Sequence, residues 1–406
     1  TGDNDINWWD SDWSKRAKIR IDHEQVKGSL SDFPALIRVT HDDFSNHAQT
    51  DGDDFVFTDE NNNILAHEIE TYESSSGTLT AWVKLPTLSH TVDTNCWVYF
   101  GNPLCENQEQ TENTWDNAFV SVYHLNDMLD STIQNNTLTN ENTNLNSGIV
   151  SNCRKFTGDD SSYLHVTSSD FDLSNEFTAS CWYYSSSSPT DKQTQYATLL
   201  NKQDSSGRSS DRNWWLSFTE GQKFTWFKAS SDGDSEYIEF DTGHKDVEDD
   251  SWHYATISYN ATRGVAQIIT DGGKYIATDS SLGFSLDGQG DPFFIGRGVG
   301  DNNRYFTGLI DEVRISDKQR DINWTNTCYN MIINQTSFSS IITSEDEGWM
   351  KWNNSLSNPD TEHQWYWKFP FSEFEGFYEF ISIGSYQNSI ESWPETADEH
   401  CQYVNN

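Results

Sequence analysis

Two adjacent carboxylates, Asp311 and Glu312, lie inside the apolar stretch FTGLIDEVRIS at residues 306–316. The stretch predicts a β-strand, in which residues of the same parity share a face. Asp311 then points to an apolar face, where a bare carboxylate costs on the order of several kcal/mol unless a cation or several hydrogen-bond donors satisfy it. Glu312 shares the opposite face with Arg314, within reach of a modest surface ion pair.

A second acidic string, HEIETYE at residues 67–73, places Glu68 and Glu70 on one face of a predicted strand and Glu73 on the other. Carboxylates about 5 Å apart catalyse glycoside hydrolysis. The alternation here is typical of a half-exposed strand, so we interpret these glutamates as a solvated face. The motifs GxSxG, HExxH and GxxxxGK[ST] are absent, and the 11 histidines are scattered. The sequence therefore predicts a protein that is not an enzyme.

Aromatic rings beside polar side chains are the groups that bind sugars, because rings stack on pyranose faces while Asp and Asn bind hydroxyls. The loop GRGVGDNNRYF at residues 296–306 is the best candidate for a ligand loop. Its candidate contacts are Asp301, Asn302, Asn303 and Tyr305. Further candidates are Trp214, Trp215 and Trp226, but aromatic residues that alternate in strands such as NWWLSF are mostly core residues.

The charge balance excludes some partners. The chain has 25 Lys and Arg against 64 Asp and Glu among its 406 residues, a formal net charge of −39. Such a field repels nucleic acid and anionic lipid and attracts divalent cations or basic partners. No apolar run approaches the ~20 residues of a membrane helix, and the opening TGDNDINWW indicates a processed, mature protein without a membrane span.

Cysteines and glycosylation sequons indicate an extracellular location. The six cysteines include no CxxC motif, which favours disulfides over zinc or thioredoxin chemistry. Local spacing favours Cys96 with Cys105 and Cys153 with Cys181, which leaves Cys328 with Cys401, although six cysteines allow about 15 pairings. Sequons for N-linked glycans stand at Asn135, Asn260, Asn323, Asn334 and Asn353.

Stretches of period 2, such as ALIRVT, TAWVKL and HYATISYN, dominate the chain and are bounded by Gly, Asp, Asn or Ser. They predict an all-β protein made of two-sheet modules. One helix is predicted over 316–332, with Ser316 or Asp317 as its cap. Boundaries near residues 115 and 335 divide the chain into three consecutive β-sandwich modules: residues 1–115, 116–335 and 336–406.

The middle module resembles laminin-G-like, concanavalin A-type lectin and glucanase domains in the order of its motifs, which are FTGDDSSYLHV, FDLSNEFTASCWYY, DDSWHYATISYN and IGRGVGDNNRYFTGLIDEVRIS. The resemblance implies a structural Ca²⁺ against the last-strand carboxylate, Asp311. Asp159 and Asp160 in FTGDDSS are further candidate oxygen ligands. The alternative, in which backbone amides of a loop bind Asp311, is favoured because buried carboxylates are usually satisfied in this way.

The other two modules resemble parts of surface proteins. WSKRAKIRID, DFPALIRVT, ILAHEIETY and YHLND resemble an uncharacterised, jelly-roll-like β-module that precedes laminin-G-like domains in archaeal and bacterial surface proteins. The tail, residues 336–406, resembles a short Ig-like repeat of archaeal surface proteins. Its sandwich is incomplete, and an open edge accepts a strand from a neighbouring copy.

The Trp-rich opening of the chain, with Trp8, Trp9 and Trp13, is a candidate plug for such an edge. A head-to-tail contact of this kind would propagate an open filament. The alternative is that these tryptophans pack on their own module, which is favoured because sequential elements usually pack together.

Taken together, these features predict a non-enzymatic, glycosylated structural protein outside the cell or on its surface, which forms filaments or adheres. Its expected partners are further copies of itself, other surface proteins or glycans. The alternative function is calcium-dependent carbohydrate binding through the 296–306 loop. Ca²⁺ and N-linked glycans are the expected non-protein components.

Overall fold

The computed structural model describes most of the chain between residues 8 and 342 and four short strands beyond it. The described residues are 8–186, 196–203, 212–218, 225–230, 237–243, 249–280, 285–286, 290–298, 304–342, 376–380, 385–386, 389–390 and 399–403.

Strands dominate these residues, and the all-β prediction is confirmed. The helices are α1 (Asp42–His47), α2 (Thr111–Thr114), α3 (Ile322–Ile333) and α4 (Gln335–Phe338). The strands are β1 (Lys15–Ile21), β2 (Leu30–Thr40), β3 (Val56–Thr58), β4 (Ile64–Leu65), β5 (His67–Glu73), β6 (Thr78–Leu88), β7 (Thr94–Phe100), β8 (Phe119–Tyr123), β9 (Thr139–Glu141), β10 (Asn144–Ser147), β11 (Asn152–Thr157), β12 (Tyr163–Val166), β13 (Glu176–Tyr184), β14 (Thr198–Gln203), β15 (Arg212–Phe218), β16 (Thr225–Ser230), β17 (Tyr237–Asp241), β18 (Trp252–Asn260), β19 (Val265–Thr270), β20 (Tyr275–Asp279), β21 (Phe293–Ile295), β22 (Thr307–Ser316), β23 (Ser339–Ile342), β24 (Gly376–Phe380), β25 (Ser385–Tyr386), β26 (Ser389–Ile390) and β27 (Glu399–Tyr403).

The first module is a sandwich of two sheets. One sheet has the order β23-β1-β7-β3-β4 and the other has the order β2-β6-β5. Apolar residues at alternating positions of β1, β2, β6 and β7 fill the space between them, because a strand of period 2 turns every second side chain to one face. The long strands β2 and β6 pair along their length, with Leu36 opposite Trp82.

The edge strand β23 joins the first module from a distant part of the chain. It pairs antiparallel with β1, with Lys18 opposite Ile342 and Ile21 opposite Ser339. This pairing satisfies backbone groups that β1 would otherwise expose at a sheet edge. The predicted boundary near residue 335 is therefore wrong: residues 339–342 complete the first module, and the second module is inserted between β7 and β23.

The second module is a larger sandwich. Its eight-stranded sheet has the order β10-β11-β22-β13-β18-β19-β20, with β8 also paired to β22. Its seven-stranded sheet has the order β17-β16-β15-β14-β21-β12-β9. Aromatic residues fill the core between the sheets, where the rings of Phe177 and Trp214 stack with centroids 4.9 Å apart.

Helix α3 begins later than predicted. Ser316 is the last residue of β22, and Asp321 is the N-cap, whose side chain accepts a hydrogen bond from the backbone N–H of Trp324 at 2.8 Å. The pairing of Ser316 with Phe119 of β8 explains the difference, because a residue in a strand ladder is not available to start a helix.

The same helix packs where the two modules meet. Cys328 and Met331 belong to the core of the first module, and so does Trp182 of β13. Tyr329 stacks on Trp182 with ring centroids 5.5 Å apart. The eight-stranded sheet therefore has a core on each side, whereas the outer face of the seven-stranded sheet points away from the first module.

Beyond β23, the described residues form two antiparallel pairs, β24 with β27 and β25 with β26. The other residues of the predicted Ig-like repeat lie outside the described part of the chain, so that repeat stays a prediction. None of the helices described is long and apolar enough to cross a membrane.

Candidate functional site

Strand β22 is irregular at its acidic pair. It carries one more residue than β13 between two successive cross-strand pairs, and Glu312 adopts a φ of 50° at this bulge. Because an extra residue reverses the alternation of side chains, Ile310 and Val313 both face the core of the second module. The prediction of a surface pair is also wrong, since Glu312 and Arg314 are buried.

Asp311 is satisfied by backbone amides. Its carboxylate accepts hydrogen bonds from the N–H groups of Ile149 at 2.8 Å and Glu312 at 2.9 Å, which is the favoured alternative. Asp159 instead binds within its own turn, and it lies about six strand residues, roughly 20 Å, from Asp311 along the antiparallel β11–β22 pair. The predicted calcium set of Asp311, Asp159 and Asp160 is therefore not assembled.

Charged side chains from both modules meet in a buried group, which we call the interdomain cluster. It consists of Glu68 and Glu70 from β5, His124 directly after β8, and Glu312 and Arg314 from β22. The side chains of Glu68 and Glu70 are 12% and 0% exposed. The prediction that they form a solvated face is wrong, because the second module covers this face of β5.

A β-bulge aims each of two glutamates into the cluster. Glu70 is the extra residue of β5 against β6, and Glu312 is the extra residue of β22 against β13. A bulge re-aims a side chain to a face that regular alternation would deny it. Both residues thus depart locally from the strand pattern, and the sequence gives no sign of either departure.

His124 lies at the centre of the cluster. Its Nδ1 is 2.7 Å from Glu312 Oε1 and 3.6 Å from Glu70 Oε2, and its Nε2 is 3.4 Å from Glu68 Oε2. The imidazole therefore joins two carboxylates of the first module to one of the second.

Further donors fix the three glutamates: Trp82 Nε1 donates to Glu70 (2.8 Å), Trp115 Nε1 to Glu68 (2.8 Å) and Arg314 Nη2 to Glu312 (2.7 Å). The indole rings of Trp82 and Trp115 each have their centroid 5.7 Å from that of His124. The rings enclose the cluster and leave no room beside it for a sugar.

Burial and charge shift the pKa values of the cluster. Burial, aided by Glu312, raises the pKa of Glu70 to about 7. Burial opposes a charge on His124, but Glu312, Glu68 and Glu70 outweigh it and raise the pKa of His124 well above its usual value. Burial likewise opposes a charge on Glu312, yet His124 and Arg314 keep its pKa below the usual range. The cluster holds charge because its members compensate one another.

A different kind of surface lies on the outer face of the seven-stranded sheet. A row of paired residues crosses this face: His165 is opposite Phe294, Phe294 is opposite Asn201, and Asn201 is opposite Trp215. Trp214 points the other way into the core, so its proposed contact with a ligand is wrong.

Two arginines stack over this face. The Arg297 guanidinium lies 4.3 Å from the ring centroid of Tyr163, and that of Arg304 lies 4.4 Å from the ring centroid of Trp215. They come from the two arms of the predicted ligand loop, which are joined by a hydrogen bond from Gly298 N to Arg304 O at 3.0 Å. The sequence analysis did not select either arginine, although both lie within the 296–306 loop.

The predicted loop residues are only partly described. Tyr305 is half-buried and pairs with Arg297 in an isolated β-bridge. Asp301, Asn302, Asn303 and the side chain of Trp226 lie outside the described residues.

Several buried polar atoms on this face have no hydrogen-bond partner within the described residues. They are Asn201 Oδ1, Gln203 Nε2, Asn213 Oδ1 and Arg297 Nε. A buried polar atom left unpaired costs about 1–3 kcal/mol, so such a group favours a ligand that supplies hydrogen bonds. Sugar hydroxyls both donate and accept, and sugar C–H faces stack on half-buried rings such as that of Tyr163.

Two of the predicted disulfides, Cys96 with Cys105 and Cys153 with Cys181, are not formed. Among the described side chains, the free cysteines are Cys96, Cys105, Cys153, Cys181 and Cys328. Cys153 and Cys181 lie on β11 and β13, which β22 separates, so about 10 Å lies between their strands and exceeds the reach of a disulfide. Cys96 faces the core of the first module, whereas Cys105 packs on the other side of that sheet. Cys328 has no disulfide partner among the described side chains, and that of Cys401 lies outside them, so this pair stays a prediction.

One predicted glycosylation site, Asn260, is buried in the folded protein and is not accessible for modification. Asn260 is buried, and its Nδ2, the atom that a glycan would modify, donates to Glu176 at 2.8 Å. The other sequons are exposed (Asn135), half-buried at α3 or its end (Asn323, Asn334), or outside the described residues (Asn353). Glycosylation at Asn135 stays a prediction.

The N-terminal tryptophans pack on their own module. Trp13 is 7% exposed and donates from Nε1 to the carbonyl of Asp54. The rings of Trp9 and Trp13 have centroids 4.8 Å apart, and those of Trp8 and Tyr99 are 5.3 Å apart. This packing agrees with the favoured alternative, and a contact with a neighbouring copy stays a prediction.

Two parts of the sequence match known families. Residues 157–322 match the concanavalin A-like lectin/glucanases superfamily. The second module is a concanavalin A-like domain. Residues 51–141 match a domain of unknown function (DUF2341). The predicted resemblance of the middle module is confirmed, and the uncharacterised region begins in the first module and extends through β8 and β9 of the second. No curated protein matches the chain.

Several solved structures are similar to part of this chain, at a low level. The binding domain of Paraclostridial Mosquitocidal Protein 1 has a TM-score of 0.45 and 15% identity, over 53% of this chain and 53% of that one. Domain 4 of AbnA, a GH43 extracellular arabinanase from Geobacillus stearothermophilus, was solved in complex with arabinotriose. It has a TM-score of 0.39 and 20% identity, over 51% of this chain and 96% of that one. The Botulinum Neurotoxin serotype G binding domain has a TM-score of 0.42 and 16% identity, over 54% of this chain and 51% of that one. This chain thus spans about half the length of the two toxin domains. Similarity at this level carries no conclusion about function.

Proposed function

We propose that this chain is a non-enzymatic, extracellular carbohydrate-binding protein that mediates adhesion, and that the outer face of the seven-stranded sheet is its sugar site. One observation carries the proposal: Asn201 Oδ1 and Gln203 Nε2 lie on one face of β14 without a partner within the described residues, and the half-buried rings of Tyr163 and His165 lie on the same face of the sheet. Flat rings beside unpaired amides are the chemistry by which proteins recognise sugars.

Electrostatics supports a particular class of glycan. The chain has a net charge of −39, which disfavours long polyanionic polysaccharides. At the site itself, Arg297 and Arg304 supply cationic donors that bind hydroxyls or a single carboxylate. We therefore expect neutral glycans, or glycans with isolated acidic sugars, as ligands.

A binding role is favoured over hydrolysis. The superfamily that residues 157–322 match includes both lectins and glucanases. Hydrolysis needs a pair of carboxylates at a sugar-sized cleft. The closely spaced glutamates of this chain are instead enclosed by Trp82 and Trp115 at the junction of the modules.

Glycan binding is tested on an array of bacterial, archaeal and host glycans with the intact chain, followed by calorimetry on the best ligand. Arg297→Ala and Asn201→Ala should each weaken binding by about tenfold or more, because each removes a buried hydrogen-bonding group. Arg263→Ala, on the hairpin between β18 and β19, is the matched control and should bind like the wild type. Silence of the wild type across the array, or equal losses in control and site variants, would refute the proposal.

Calcium dependence and self-association are separate proposals. A chelator added to the same array measures the first, and unchanged binding would exclude a calcium requirement. Negative-stain microscopy of concentrated protein measures the second, and uniformly separate particles would exclude a filament.

A further inference from the structure

The interdomain cluster lies on the side of the concanavalin A-like domain opposite the proposed sugar site, and it has its own chemistry. One donor atom each from Glu70, His124 and Glu312 lies within 4.8 Å of the others. We propose that these three side chains bind a divalent transition-metal ion of the zinc class, which joins the first module to the concanavalin A-like domain. This inference does not rest on the proposed function.

The donor set selects the class of ion. One imidazole with two carboxylates suits Zn²⁺ and similar borderline ions, which bind at about 2.0–2.2 Å. Ca²⁺ and Mg²⁺ prefer sites made of oxygen ligands alone. His124 Nδ1 lies 2.7 Å from Glu312 Oε1 and 3.6 Å from Glu70 Oε2. Ligand atoms that bind one tetrahedral ion at about 2.0–2.2 Å lie about 3.3–3.6 Å apart, so the Glu70 distance fits, whereas Glu312 Oε1 would have to move away from His124 by about 0.6 Å.

The far nitrogen of His124 provides independent support. Its Nε2 is buried and makes no hydrogen bond within the described residues, although Glu68 Oε2 is 3.4 Å away. A metal on Nδ1 fixes the proton on Nε2, which then points toward the Glu68 carboxylate. Metal-binding histidines almost always have such a partner on the other nitrogen.

The proposed carboxylate ligands are oriented by the surrounding residues. Trp82 and Ser151 each donate a hydrogen bond to Glu70, and Arg314 donates one to Glu312. Outer hydrogen bonds of this kind hold carboxylate ligands in a productive orientation.

A second triad serves as a control. Asp22, His23 and Asp93 also bring three possible ligand atoms together, but His23 and Asp93 are each 36% exposed. Because this triad is exposed, it carries no proposal. His23→Gln therefore removes a histidine that also lies between two carboxylates, without touching the interdomain cluster.

The test uses the intact chain expressed with added zinc and freed of loosely bound metal by a chelator. We expect about one zinc per chain, and its X-ray absorption fine structure should contain one imidazole among otherwise oxygen ligands. Added Zn²⁺ should raise the thermal midpoint of the metal-depleted protein by several degrees, because an ion that binds the folded state alone stabilises it.

Variants give the second readout. His124→Gln should abolish zinc retention, Glu68→Gln should weaken affinity about 10- to 100-fold as an outer partner does, and His23→Gln should change neither. A wild type that retains no zinc, or zinc retained equally by His124→Gln, would overturn the proposal. If His124→Gln does not fold, the fine structure of the wild type decides, and an ion with no imidazole or with several would overturn it. Glycan binding by the same preparations reports separately on the sugar site.

Discussion

Asp311 and Glu312 are neighbours in the chain, yet the fold gives them opposite acidities. Burial, with the charges of Glu312 and Glu70, raises the pKa of Asp311 well above its usual value. The ion pairs of Glu312 with His124 and Arg314 outweigh burial and lower its pKa. The bulge in β22 causes the difference, because it directs one carboxylate to loop amides and the other to two cationic groups.

This contrast predicts unequal costs of neutralisation. Glu312→Gln should lower the free energy of unfolding by about 3–5 kcal/mol, because it leaves Arg314 without its buried carboxylate partner. Asp311→Asn should cost only about 1 kcal/mol, since the amide oxygen still accepts a backbone hydrogen bond. Urea unfolding of both variants measures the difference, with Glu73→Gln at the exposed end of β5 as the control. Equal costs would contradict the assignment of charge.

His67 predicts acid sensitivity of the first module. Burial lowers its pKa from 6.5 to about 4, and the carbonyl groups of Leu65 and Phe55 only partly oppose this. The unfolded chain binds a proton at His67 more readily than the folded chain does. The free energy of unfolding is therefore unaffected by His67 above pH 6.5 and falls as the pH drops toward 4. A pKa shift of this size corresponds to a loss of about 3 kcal/mol in the free energy of unfolding at low pH.

The measurement is the thermal midpoint between pH 7 and pH 4.5 for the wild type and His67→Gln. The variant should lose less stability than the wild type over this range. His47→Gln, which changes an exposed histidine, should follow the wild-type profile, and a steeper profile for His67→Gln would contradict the prediction.

Because the described cysteines are unpaired, we expect a reductant to leave the thermal midpoint of unfolding unchanged. Burial raises the pKa of Cys96 and of Cys153 to about 12 and that of Cys328 to about 11, so these thiols should react slowly in the folded protein. Half-buried Cys105 should react first with a thiol reagent. Thiol counting in the native and the denatured state measures this, and Cys105→Ser should remove the fast phase. A lower thermal midpoint in reductant would indicate disulfides.

Strand β23 predicts where the chain can be shortened. A chain that ends at residue 342 should keep the first module intact. One that ends at residue 334 should expose β1 and lose the burial of Phe338 and Ile342, at a cost of about 3 kcal/mol or more. Hydrogen exchange along β1 measures the effect, and equal protection in the two chains would show that β23 does not support the first module.

The sequence predicted those parts of the structure that depend on local pattern. Alternation of apolar residues marked strands such as β2, β6 and β18, and the helical spacing of Trp324, Cys328 and Met331 marked α3. Ordered motifs marked the concanavalin A-like domain. Each of these signals lies within a few residues of the element that it specifies.

The missed features depend on contacts between distant residues. Glu70 and Glu312 follow the alternation of ordinary strands, and only the two bulges and the cover of the second module bring them together. His124 reaches Glu312 across 188 positions of the chain. The available hint was an acidic string whose intervening residues, Ile69 and Tyr72, pack against the core of the first module.

The pairing of β1 with β23 also determines how tension would pass through the protein. A pull applied before Lys15 and after Ile342 would act on the same end of this antiparallel pair and would peel its hydrogen bonds apart one after another. The inserted domain leaves and rejoins the first module between these strands, so it lies outside the mechanical path. Its seven-stranded sheet would keep its shape under stretching until β1 and β23 had separated.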